Sequence, residues 1–152
     1  MSENQVVLST NNQLFVNTDL SKIFLWNNRY ETDNYINNSY YEPITLNAGT
    51  VMGRIATTGV LIPCQAGASD GSQYPIGILA RDLVIDIGET VQAPICVAGD
   101  VAEEMILFFN GAATGMSLDY VVSDRRMRDR LAADTVGIKI VPCVDLTGYD
   151  NQ

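Results

Sequence analysis

Nucleophiles, general bases and metal ligands are where protein chemistry begins, and this 152-residue chain carries few of them. It has no histidine, which removes the commonest general base and the commonest transition-metal ligand at once. A Ser-His-Asp or Cys-His arrangement is therefore impossible, and no P-loop, dinucleotide-binding glycine motif, CxxC pair or EF-hand loop occurs. Eighteen Asp and Glu residues leave a glycosidase formally open, because that chemistry needs only two acids across a cleft. Acids so numerous make any one pair unspecific. No aromatic and acid cluster stands out as a sugar cleft, although Trp26, Tyr30, Tyr35, Tyr40 and Tyr41 are available to line one. The residues read as those of a non-enzyme that holds no metal and no cofactor.

Two charged groups have structural explanations. Asp100 precedes VAEEMILFF and Glu103 follows three residues later, the spacing of a capping box, and Asn110-Gly111 then ends the segment. Asp100, Glu103 and Glu104 are thus expected to cap a short helix and complement its dipole, not to ligate a cation. A second short helix is predicted in SDRRMRDRLAAD, residues 123–134, where four arginines fall within six positions. Asp119, Asp124, Asp129 and Asp134 balance them, and Arg125 to Asp129 and Arg130 to Asp134 stand at helical i,i+4 spacing. A solvated, ion-paired helix or a subunit contact is expected there. Cys64, Cys96 and Cys143 lie singly inside apolar runs, as reduced core residues do.

The elements that carry these residues must fit one domain. The net charge of -9 opposes a phosphate-backbone partner, which requires clustered, uncompensated Lys and Arg, so no direct nucleic-acid contact is expected. A hydrophobic content of 47% supports a packed core without disulfides. No apolar run reaches the ~18 residues of a membrane span, and the start MSENQVVLST lacks the basic and apolar regions of a secretory signal. Synthesis in the cytosol, away from membranes, is expected.

Residues 1–42 are rich in Asn and Tyr, with β-like runs QVVLST, QLFVNT and KIFLWNNRY but too few apolar residues for a core of their own. They read as an extended arm, with Asn11-Asn12 and Asn27-Asn28 as candidate hairpin turns. Such an arm either packs on its own domain or lends strands to a partner. From Pro43 the strand signals crowd together. Thr50–Ala56 and Val60–Cys64 form a predicted hairpin across Thr58-Gly59, and Asp70-Gly71 makes a tight turn into Tyr74–Ala80, whose continuous apolarity predicts burial on both faces. A turn at Gly88-Glu89 leads to Val91, Ala93, Ile95 and Val97 on one strand face, with Pro94 predicting an edge or a bulge. VGIKIV, residues 136–141, is a further strand.

The order of these segments carries a resemblance. LNAGTVMGRIATTGVLIPC, ASDGSQYPIGILARD, VQAPICVAGDVAEEMILF and SDRRMRDRLAADTVGIKIV follow one another as in the head decoration proteins of tailed bacteriophages, the group typified by the phage lambda head protein. The most specific element is DGS-x-x-PIGILA, with Asp70, Gly71, Pro75 and Gly77 as its framework. The resemblance covers residues 43–141, whereas residues 1–42 are unlike the shorter, Pro- and Ala-rich arm of that group.

That resemblance implies a mainly β, β-clip-like decoration domain over residues 43–146 with two short helices, preceded by the extended arm and followed by a tail, residues 147–152. It implies a homotrimer on the outer surface of the virion, assembled in the host cytoplasm, whose partner is the major capsid protein. Bound at local threefold positions of the expanded head, it would cement the shell against packaged DNA. On this reading the arm clamps the capsid by β-augmentation through Val6, Val7, Leu8, Leu14, Phe15, Val16, Ile23, Phe24, Leu25 and Trp26. The alternative for those apolar residues is that they cover the arm's own domain. A head fibre or host-surface-binding protein is the rival function, presenting the Tyr-rich residues 30–41. A dUTPase-like trimer lacks its Ser-, Asp- and Tyr-bearing motifs here.

Overall fold

Adjacent apolar residues in a strand point to opposite faces, so Val51-Met52, Ile78-Leu79 and Ile95-Cys96 each require a core on both sides of the sheet. The computed structural model, which describes residues 23–37, 42–65, 67–109 and 115–142, has this arrangement. One core gathers Val51, Ile78 and Cys96 with Phe24, Val101, Met127, Leu131 and Ile138. The other gathers Met52, Leu79 and Ile95 with Tyr35, Leu46, Leu83 and Ile85. Burying one such aliphatic side chain contributes roughly 1.5–3 kcal/mol.

The protein is mainly β. The strands are β1 (Phe24–Ile36), β2 (Ile44–Leu46), β3 (Val51–Arg54), β4 (Leu61–Pro63), β5 (Pro75–Leu79), β6 (Leu83–Ile85), β7 (Thr90–Ala102), β8 (Val121–Val122), β9 (Arg125–Arg126) and β10 (Gly137–Val141). Six of them form one sheet in the order β1-β7-β5-β3-β4, with β10 joined in parallel to the later half of β7. The β2-β6 ribbon lies over the second core. Over the first lie the β8-β9 hairpin and the helix α1 (Met127–Ala133).

Several expectations hold. The Thr50–Cys64 hairpin forms as β3 and β4, β5 is buried on both faces, and Val91, Ala93, Ile95 and Val97 share the second core. GIKIV is β10. Cys64 and Cys96 are free and buried, and Cys143 lies outside the described residues.

Others are corrected. Residues 24–36, assigned from sequence to the arm, pair with β7 along its length. The ladder supplies the burial that their own composition lacks, so the β domain extends upstream of Pro43. Asn27-Asn28 is not a hairpin turn but an irregularity inside β1, and Asn11-Asn12 lies outside the described residues. The first predicted helix reduces to a 3-10 turn, Glu103–Met105, with no side-chain cap bond. Asp100 belongs to β7, where pairing with β1 and β10 outweighs the local capping pattern. The second helix starts only at Met127. Ser123 (φ 48°) and Asp124 (φ 73°) instead turn the chain between β8 and β9, as two-residue hairpin loops demand. Pro94 sits in a central strand, not at an edge. Its carbonyl accepts Ala80 N at 2.8 Å, so its missing N–H faces the same side, where β5 has just ended at Leu79.

Candidate interaction surface

Among the described residues no three Cys, Asp or Glu side chains converge on a metal site. The carboxylates of the predicted capping box part company, Asp100 in β7 and Glu103 on the 3-10 turn, paired with Arg128 at 3.3 Å. Arg128 also reaches Asp119 at 3.1 Å, and these two carboxylate partners hold its guanidinium above the usual arginine range, Glu103 foremost. Arg130 pairs with Asp134 at 3.3 Å as the i,i+4 spacing required. It also donates to the Val122 and Ser123 carbonyls at 3.0 and 2.8 Å and lies over the Tyr74 ring, so it ties α1 to the hairpin. These arginines, paired with Glu103, Asp119 and Asp134, stabilise one lobe.

The DGS-x-x-PIGILA element is framework. Asp70 Oδ1 accepts from Ser72 N at 3.0 Å and Ser72 Oγ at 2.6 Å, which holds its carboxyl below the ordinary range. Gly71 has φ 106° and lies against Ala56 and the Arg54 carbonyl, closing the turn onto β3. Pro75 opens β5. At Gly77 a Cβ would meet Ile95 Cγ2 at 2.3 Å and Cys96 O at 2.6 Å, so β5 and β7 approach closely only because this residue has no side chain.

The surface with an unexplained exposed anchor is the pole where β1 begins. Ile23 and Phe24, named from sequence as clamp residues, are 3% and 8% exposed and belong to the domain's own core. Phe24 packs edge-on against Tyr30, with centroids 5.7 Å apart. Leu25 is half-buried. Trp26, in contrast, is 71% exposed. Asn27 at φ 55° and Gly99 at φ 107° create the irregularity that turns it outward. Only glycine fits at residue 99, where a Cβ would lie 2.6 Å from Trp26 O. Asn28 Nδ2 donates to Asp100 O at 3.1 Å and locks the bulge. The registers align Trp26, Asp100 and Lys139 across β1, β7 and β10. Both ends of the described chain leave at this pole, since Ile23 precedes β1 and Val141 pairs with Ala102. Val6, Val7, Leu8, Leu14, Phe15 and Val16 lie outside the described residues.

Trp26 had a sequence signal, as the single tryptophan, at the end of the apolar run Ile23-Phe24-Leu25. The bulge did not, because it depends on Gly99 meeting β1 across more than seventy residues of chain. The chain matches the family model of bacteriophage lambda head decoration protein D over residues 27–119. No curated protein matches it.

Proposed function

The chain belongs to the bacteriophage lambda head decoration protein D family, and on that premise we propose that it is a cement protein. This is a family of structural phage proteins that decorate the capsid. It binds as a homotrimer to the outside of the expanded head at local threefold positions and stabilises the shell against the pressure of packaged DNA. The domain, of β-clip-like type, is the rigid bridge between neighbouring capsomers. Its partner is the major capsid protein, engaged by the segment before Ile23 through Val6, Val7, Leu8, Leu14, Phe15 and Val16, with Trp26 as the anchor beside it. Three weak arms on one trimer hold together through effective concentration, so the assembled clamp releases slowly.

The observation that carries the capsid-binding reading is Trp26, 71% exposed and held outward at the pole from which that segment departs. Co-sedimentation with expanded and unexpanded shells of the cognate phage, both lacking this protein, is the test. Saturating binding to expanded shells alone is expected. Equal failure on both shells, with binding of isolated trimers to host cells, would establish the head-fibre alternative.

A further inference from the structure

We propose that Trp26 and Asp100 form a receptor for one arginine of the capsid shell protein, its guanidinium laid on the indole ring and paired with the carboxylate. This deepens the decoration reading and rests on it.

The site is built on three strands. Trp26 of β1 pairs with Asp100 of β7, which pairs with Lys139 of β10. Residues directly opposite one another share a face of the sheet, with Cβ atoms about 4.5–5.5 Å apart. The neighbouring pair Val101 and Ile140 turns into the first core, so Trp26, Asp100 and Lys139 turn away from it. The Asn28 bond to Asp100 O, 3.1 Å long, holds this part of the ladder in place. Two binding capacities in the row are unused among the described residues. The exposed Trp26 ring meets no other ring and no cation, the contacts of that kind being Phe24 with Tyr30 and Arg130 with Tyr74. The half-buried Asp100 carboxylate accepts no bond, whereas Glu31, Asp33, Glu103, Asp119 and Asp134 each hold an arginine.

Charge specifies the occupant. An indole face beside an unpaired carboxylate attracts a cation twice, through the ring quadrupole and by direct Coulomb attraction. Arginine answers both, because its planar guanidinium stacks on an aromatic ring while its edge pairs with a carboxylate. Lys139, on the far side of Asp100, makes no ion pair with it and repels a second cation, so the guanidinium enters from the Trp26 side. This chain has almost no such group to offer. All of its arginines lie in the described residues, so residues 1–22 supply none. Arg29, Arg54, Arg126, Arg128 and Arg130 are ion-paired, and Arg81 donates to Gln92 O at 2.8 Å. Arg125 alone is left without a partner among them. A second copy would also bring the same net charge of -9, and like charge opposes that pairing. The geometry therefore favours the shell protein.

Asp100→Asn keeps the shape of the site and removes its charge. On expanded shells lacking this protein it should weaken binding by about tenfold or more, while the melting temperature stays within a few degrees because the carboxylate bonds nothing in the free protein. Butanedione, which blocks guanidinium groups, should cause the same loss when the shells are treated with it and the wild-type protein is then added. Undiminished binding of Asp100→Asn, or of wild type to blocked shells, overturns the arginine site and leaves decoration standing. Failure of the wild type to bind any untreated shell overturns this proposal and the decoration reading together. The single tryptophan reports on the second copy: Arg125→Ala should leave the Trp26 emission of the free protein unchanged. A shift in that emission assigns the site to a neighbouring copy and overturns the shell partner.

Discussion

At the scale of single residues, the motif most useful for recognition is built from bonds that a titration can read. Asp70 is solvent-exposed, yet the Ser72 hydroxyl and N–H that it accepts hold its carboxyl below the usual range. A carboxyl whose folded value is depressed adds stability that is fully present above the ordinary range near pH 4, and loses it as pH falls through the folded value. The melting temperature of the wild type should therefore decline through that acid window, and Asp70→Asn should melt lower at pH 7 with a shallower acid limb. Parallel curves for the two proteins would remove this bond from the linkage. Cys64 illustrates the opposite sign: burial pushes its thiol up to about 12, which fits a core residue and not a reactive one.

At the scale of elements, legibility followed the range of the interaction. The β3-β4 hairpin and β5 were readable because turn residues and apolar runs specify them locally. Only the first half of β1 was, within the run KIFLWNNRY, because its continuation through Glu31, Thr32, Asp33 and Asn34 is recognisable as a strand only with β7 beside it. The helix at residues 100–109 failed for the same reason, its capping pattern overridden by the ladder around Asp100. The arginines of α1 were read as a solvated set, and Arg130 departs from that. Its side chain is 15% exposed and bonds two hairpin carbonyls together with Asp134. Arg130→Ala should cost about 2–3 kcal/mol in denaturant unfolding, since it strands those acceptors. Arg130→Lys should not restore them, for lack of the planar fork. Arg125→Ala, on the exposed β9, should stay within about 0.5 kcal/mol.

At the scale of the whole molecule, the boundary between the proposed clamp and the domain decides what each part can do alone. Sequence composition placed it at residue 42, but Ile23 and, from β1, Phe24 and Tyr35 belong to the two cores. Asn37 then donates to the Ile85 carbonyl at 2.9 Å and fastens the end of β1 to β6. Deleting residues 1–42 removes those core side chains and exposes the long edge of β7, so that variant should fail to fold or aggregate. Deleting residues 1–22 removes none of them. It should melt within a few degrees of the full chain, keep the same oligomeric state by light scattering, and lose most of its decoration of expanded shells, because in the proposed clamp each trimer forfeits three contacts that act together. A shortened protein that decorates as well as the full chain would move the entire capsid contact onto the domain, with Trp26 as its exposed anchor. One that melts far lower would make residues 1–22 part of the domain. The two deletions thus separate, by fold and by binding, the segment proposed to hold the shell from the strand that holds the protein.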